Sequence, residues 1–88
     1  MITERDSGWF VYIVECSDNT LYTGVATDIE ARLAEHNAGR GAKYTRARLP
    51  VALVYSEKAK DRSTALRREH VIKRMPTLDK RSLVCTGK

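Results

Sequence analysis

The chain has 88 residues, 42% hydrophobic and 31% charged, which suits one folded domain with a single modest core and excludes a disordered polymer. Sixteen Lys and Arg against eleven Asp and Glu leave a net charge of +5. Such a balance favours a polyanionic partner, nucleic acid first, although solubility alone would account for it about as well.

The longest apolar run, Trp9 to Val14, is far short of the about 20 residues a membrane span needs. Residues 1–7 are polar, without an apolar signal core, and are expected to fray. Cys16 and Cys85 stand far apart and in no zinc or redox spacing, so a reducing, cytoplasmic setting is expected. Residues 1–88 read as one domain with its core over residues 8–84.

Gly8 opens a strand, Trp9-Phe10-Val11-Tyr12-Ile13-Val14, which is β-branched and aromatic without a polar break. That pattern suits a central strand covered on both faces. Ser17-Asp18-Asn19 is turn chemistry, and Leu21 to Val25 is a second strand, so the two form a hairpin. A three-residue loop, Ser17 to Asn19, puts Tyr12 and Tyr22 on one face, whereas a two-residue loop would put them on opposite faces. Asn19 suits the left-handed position of the three-residue loop, which is therefore the predicted one.

Thr27 and Glu30 are spaced as a capping box. The helix they begin spans about residues 28–37, with Gly39 ending it. Ile29 and Leu33 form its apolar stripe, yet His36 falls almost on top of Ile29, and Arg32 sits at the stripe's edge. A buried Arg or His costs stability unless paired, and such breaches of pattern tend to mark functional sites. A glycine-rich basic loop follows, Gly39 to Arg46, in which Arg40, Lys43 and Arg46, joined by Arg48, can neutralise phosphate around Tyr44. Pro50 closes it, and Val51 to Ser56 is the third strand.

Asp61 or Ser63 caps a second helix over about residues 64–75, terminated by Pro76. Glu69 lies at the centre of its apolar stripe of Ala65, Leu66 and Ile72, with Lys73 close by. Thr77 can cap a last helix over about residues 78–84, with a loose tail from Cys85.

These residue types suit phosphodiester hydrolysis. Glu69 can hold one hard divalent ion, Mg²⁺ or Mn²⁺, through a single carboxylate. Arg32 can bind non-bridging oxygens. Tyr12, beside a cation and an acceptor, is expected to have a lowered pKa and to take a proton from water, relayed or oriented by His36 or Tyr22.

The same residues resemble the GIY-YIG nucleases, and in particular the small stand-alone, uncharacterised bacterial members. The name residues correspond to Val11-Tyr12-Ile13 and Tyr22-Thr23-Gly24, the family's helix arginine to Arg32, and a histidine one turn later to His36. The metal-binding glutamate corresponds to Glu69. Arg32 to Asn37 and Lys43-Tyr44-Thr45 match two further motifs. The resemblance implies an α+β fold, a three-stranded antiparallel sheet with the first strand central and helices around it. It also implies one-metal cleavage of DNA. Three departures stand out: Val11 for Gly, Thr23 for Ile, and no Asn after Asn37, where many members carry a polar residue beyond the glutamate.

Catalytic work thus falls to Tyr12, Tyr22, Arg32 and His36, metal binding to Glu69, and nucleic-acid contact to Arg40, Lys43, Tyr44, Arg46 and Lys73. DNA is the expected partner, with RNA also open, and a further protein could supply specificity. Plainer readings exist for each: strand tyrosines as packing, Arg32 paired with Glu35 or Asp28, His36 as a satisfied core residue, and Glu69 in an i, i+4 pair with Lys73. The geometric expectation is that Tyr12, Tyr22, Arg32, His36 and Glu69 line one shallow cleft.

Overall fold

A computed structural model describes residues 8–86, so the expected fraying of residues 1–7 lies outside the described residues. Strands β1 (Trp9–Glu15), β2 (Leu21–Ala26) and β3 (Ala52–Ala59) form one antiparallel sheet in the order β2-β1-β3. Around it are α1 (Ile29–Asn37), α2 (Lys43–Arg46), α3 (Arg62–Lys73) and α4 (Thr77–Thr86). The fold is α+β with the first strand central, as the sequence predicts.

The unbroken apolar run of β1 exists because both of its faces are covered. Val11 and Ile13 pack on one side with Ala59, with Ala65 and Ile72 of α3, and with Leu83 and Val84 of α4. Tyr12 and Val14 pack on the other with Cys16, Val51, and Ile29 and Leu33 of α1. Val11, Ile13 and Val14 are fully buried, and each such side chain contributes roughly 1.5–3 kcal/mol.

The hairpin closes through the predicted three-residue loop. Cys16 N–H donates to the Thr20 carbonyl at 2.8 Å, and Asn19 takes φ +70°. The resulting register pairs Tyr12 with Gly24 and Val14 with Tyr22, so both tyrosines share the face covered by α1.

Several element boundaries differ from expectation. Asp28, not Thr27, caps α1, its carboxylate accepting from Ala31 N–H at 3.0 Å; an acidic cap one residue nearer the helix displaces the Thr27 capping box. Lys43–Arg46 is a helical turn rather than loop, because the Ala42 carbonyl collects N–H bonds from Thr45 and Arg46 and the Thr45 hydroxyl. β3 runs on to Ala59, since Glu57, Lys58 and Ala59 continue the ladder opposite Val11, Phe10 and Trp9. α3 begins at Arg62, capped by Asp61 through Thr64 N–H at 2.8 Å. α4 extends through Cys85 to Thr86.

Long-range polar links fasten these pieces. Arg68 grips Glu57 with two donors, at 2.7 and 3.2 Å, tying α3 to β3. Arg81 of α4 reaches Glu15 at 3.1 Å and also the Asn19 carbonyl of the hairpin loop. Asn37 at the end of α1 exchanges two bonds with the Val51 backbone, 3.1 and 2.8 Å, and so fixes where β3 starts.

Candidate active site

Tyr12 anchors the site from the centre of the sheet. Its phenol lies over Gly24: a Cβ there would stand 2.6 Å from the Tyr12 oxygen. The glycine of Tyr-Thr-Gly is therefore a vacancy that the tyrosine fills. The Tyr12 hydroxyl reaches 2.9 Å from His36 Nε2, and His36 Nδ1 lies 2.9 Å from the Thr45 hydroxyl. Gly41 sits against the far side of the ring, where a Cβ would be 2.8 Å from the His36 Cα and would collide with the imidazole.

Tyr22 packs edge-on to His36, ring centres 5.5 Å apart, and stacks on Tyr44 at 6.0 Å and 19°. Arg48 covers Tyr44 at 3.9 Å and is itself held by Asp18 at 3.0 Å and by the Tyr44 carbonyl at 2.8 Å. Lys73 of α3 lies 5.7 Å from the Tyr22 ring and pairs with Glu69 at 3.3 Å. Arg32 of α1 stands beside the Tyr12 hydroxyl and donates to Glu35 at 2.9 Å.

One continuous set of contacts thus runs from Arg32 through Tyr12, His36 and Tyr22 to Lys73 and Glu69. α3 itself packs on the Val11 and Ile13 face of the sheet, and the contact that links Glu69 to the tyrosines is Lys73, which lies beside the Tyr22 ring. The i, i+4 pair with Lys73 and the Arg32–Glu35 pair both form, as the plainer readings expect, with Glu35 and Lys73 half exposed.

Two expectations need correction. His36 does not line a cleft: it is fully buried with both ring nitrogens bonded, because the helix stripe carries it into the sheet under Tyr12 and Tyr22. Nor is the Tyr12 pKa lowered. Burial pushes it above its ordinary value of 10, against the nearby Arg32 guanidinium, and the charges of Tyr22 and Glu69 push the same way. Tyr12 is a neutral phenol. His36 is pushed down from 6.5, by burial first and then by Arg32, so the imidazole is neutral too.

Arg40, Lys43 and Arg46 are exposed around α2, and among the described residues they form no ion pair. Tyr44 is 38% exposed. Four contributors stand in the sequence without the tasks the structure gives them: Thr45, Gly41, Asn37 and Arg48. Each lies in or beside the Arg32 to Asn37 and Lys43-Tyr44-Thr45 motifs, but only contacts across the fold give it a task.

For a divalent ion the donor set is small. Among the described residues no group of three or more His, Cys, Asp or Glu converges. Glu69, its side chain 18% exposed, offers one hard carboxylate, which fits an ion that keeps waters and takes its other ligands from phosphate.

Residues 8–76 match the GIY-YIG catalytic domain. The chain belongs to the GIY-YIG family. Its relatives include a UPF0213 protein of Desulfotalea psychrophila, 56% identical over 93% of this chain and 74% of that protein. Another, from Staphylococcus haemolyticus, is 61% identical over 73% and 78% of the two chains. The solution NMR structure of a UPF0213 protein from Bacillus halodurans superposes with a TM-score of 0.58 at 40% identity, covering 91% of this chain and 86% of the other. Within the GIY-YIG domain the two motif departures leave the tyrosines untouched. Val11 is fully buried and Thr23 nearly so, and both lie on the sheet face opposite Tyr12 and Tyr22. α4 follows the matched GIY-YIG segment and packs on that same opposite face.

Proposed function

We propose that this GIY-YIG domain is a metal-dependent phosphodiesterase that cuts DNA, non-specifically or by structure, in repair or processing. The observation that carries the reading is an array in which a donor-only guanidinium, a phenol and a buried neutral imidazole adjoin one another, with the Glu69 carboxylate joined to it through Lys73 beside Tyr22. No structural packing requirement calls for all four together.

Arg32 holds non-bridging phosphate oxygens, and the adjoining Lys73 adds a second positive charge. Tyr12 takes a proton from the attacking water as its own proton passes to His36 Nε2, so neither a free tyrosinate nor a strong base is needed. The hydroxide so formed attacks phosphorus, the P–O ester bond breaks, and the leaving oxygen takes a proton from solvent, while His36 hands its added proton back through the Tyr12 hydroxyl to solvent and is neutral again. Tyr22 packs His36 in place beside this transfer. Mg²⁺ or Mn²⁺ at Glu69 would supply stabilisation of the phosphoryl charge. Arg40, Lys43, Arg46 and Tyr44 contribute backbone contact along the approach. Few side chains are left to read base edges, so cleavage follows shape or none. The chain works in the cytoplasm, alone or with a protein that supplies specificity; RNA, endonuclease and exonuclease action are distinguished by the substrate panel.

The test is a panel of labelled linear, branched and single-stranded DNA and RNA incubated with Mg²⁺ or Mn²⁺. Glu69→Ala and Arg32→Ala should each slow cleavage on the order of 10²-fold or more, with the fold retained by circular dichroism. Cleavage that survives both substitutions would sink the assignment. One observation favours a second reading, a non-catalytic nucleic-acid-binding module: Lys73 neutralises Glu69 at 3.3 Å. That reading expects binding without cleavage, unchanged in Glu69→Ala.

A further inference from the structure

Thr45 is a buried polar residue to which the proposed chemistry gives no task. It is fully buried on α2, and its hydroxyl lies 2.9 Å from His36 Nδ1 and donates to the Ala42 carbonyl at 3.0 Å. A hydroxyl has one proton to give. With that proton on Ala42, the Thr45 oxygen can only accept from the ring, so Nδ1 carries the hydrogen and Nε2 is an acceptor. Nε2 is the nitrogen 2.9 Å from the Tyr12 hydroxyl. The other end of the array leads to the same order. Arg32, beside the Tyr12 oxygen, can only donate, so the phenol proton needs an acceptor, and Nε2 faces it. The opposite tautomer would set Arg32 and an Nε2 hydrogen both against the phenol oxygen and leave the phenol proton without that acceptor.

The chain is shaped to deliver this contact. Gly41 has no side chain where one would strike the imidazole, which lets the segment before α2 lie against His36. The helical turn Lys43–Arg46 then brings Thr45 back onto Nδ1.

We propose that Thr45 is the positioning residue of this site: it holds His36 in the Nδ1–H tautomer and so keeps Nε2 free to take the Tyr12 proton. Its effect on rate rests on the phosphodiesterase reading; the tautomer does not.

The experiment is nitrogen-15 long-range NMR of the His36 ring in the natural chain, Thr45→Ser and Thr45→Val, with cleavage rates measured on the same samples. The natural chain and Thr45→Ser should show hydrogen on Nδ1. Thr45→Val, of the same shape but without the hydroxyl, leaves only the Tyr12 end to set the order, so it should show hydrogen divided between Nδ1 and Nε2 and lose on the order of 10-fold in kcat with KM unchanged. Hydrogen on Nε2 in the natural chain would overturn the proposal, whether or not Thr45→Val folds. So would a folded Thr45→Val that keeps the natural rate. A natural chain with the Nδ1–H ring that cleaves nothing in the panel would remove the phosphodiesterase reading and leave the Thr45–His36 order standing.

Discussion

Gly24 lacks a side chain because Tyr12 occupies the place where one would go, and that exclusion sets where the phenol points. A methyl group there would meet the Tyr12 oxygen at 2.6 Å and its ring carbon at 2.7 Å, with His36 packed behind. Gly24→Ala should therefore cost about 1–3 kcal/mol of stability, the usual range for overpacking a tight site. It should also shift the hydroxyl off His36. Urea denaturation reads the first effect and the cleavage assay the second; an alanine variant of unchanged stability would mean that the ring slides aside freely. The same reasoning separates His36 from the residues that meet substrate. It is sealed beneath two tyrosines, so its influence passes through Tyr12.

At the level of elements, register and caps decide what reaches the site. The left-handed Asn19 closes a three-residue loop, and the consequent pairing of Tyr12 with Gly24 and Val14 with Tyr22 puts both tyrosines under α1. α1 is started by Asp28, whose carboxylate takes the Ala31 N–H. Asp28→Ala should cost about 1 kcal/mol, whereas Thr27→Ala should leave the denaturation midpoint nearly unchanged. The reverse ranking would restore Thr27 as the cap. The end of α1 matters as much, since Asn37 both donates to and accepts from the Val51 backbone. That two-way bond joins the helix carrying Arg32 and His36 to the strand that runs beside Tyr12.

For the whole molecule, the neutral state of His36 ties stability to pH. Burial and the nearby Arg32 hold its folded pKa below the ordinary 6.5. The unfolded chain takes up a proton near 6.5 while the folded chain does not. Stability is therefore fully present above that value and falls as the pH falls through it towards the folded pKa. Thermal melts from pH 8 down to 5 should show this loss, and His36→Gln should flatten it. Glu57 contributes in the same direction at more acid pH. Although burial opposes it, bonds from Arg68 and Tyr55 hold its pKa below the ordinary 4.5, so its contribution is present above that value and lost as the pH falls below it.

Local information in the sequence was enough for the fold class. One strand apolar on every position had to be central, Asn19 in a short turn set the register, and polar residues on apolar helix stripes, Arg32, His36 and Glu69, named the candidate site that is proposed above. Those signals are local because periodicity and turn chemistry act over a few residues. What the tertiary structure alone decided is how the site is charged and sealed. The helical spacing put His36 on the buried stripe, but only the packed surroundings sealed it completely and reversed the expected shift of Tyr12. A contact across nine positions turned Thr45 from a loop residue into the partner of the imidazole, and one across the sheet and α3 set Lys73 between Glu69 and Tyr22. Desolvation and long-range hydrogen bonding are properties of the packed surroundings, and those exist only once the chain has folded.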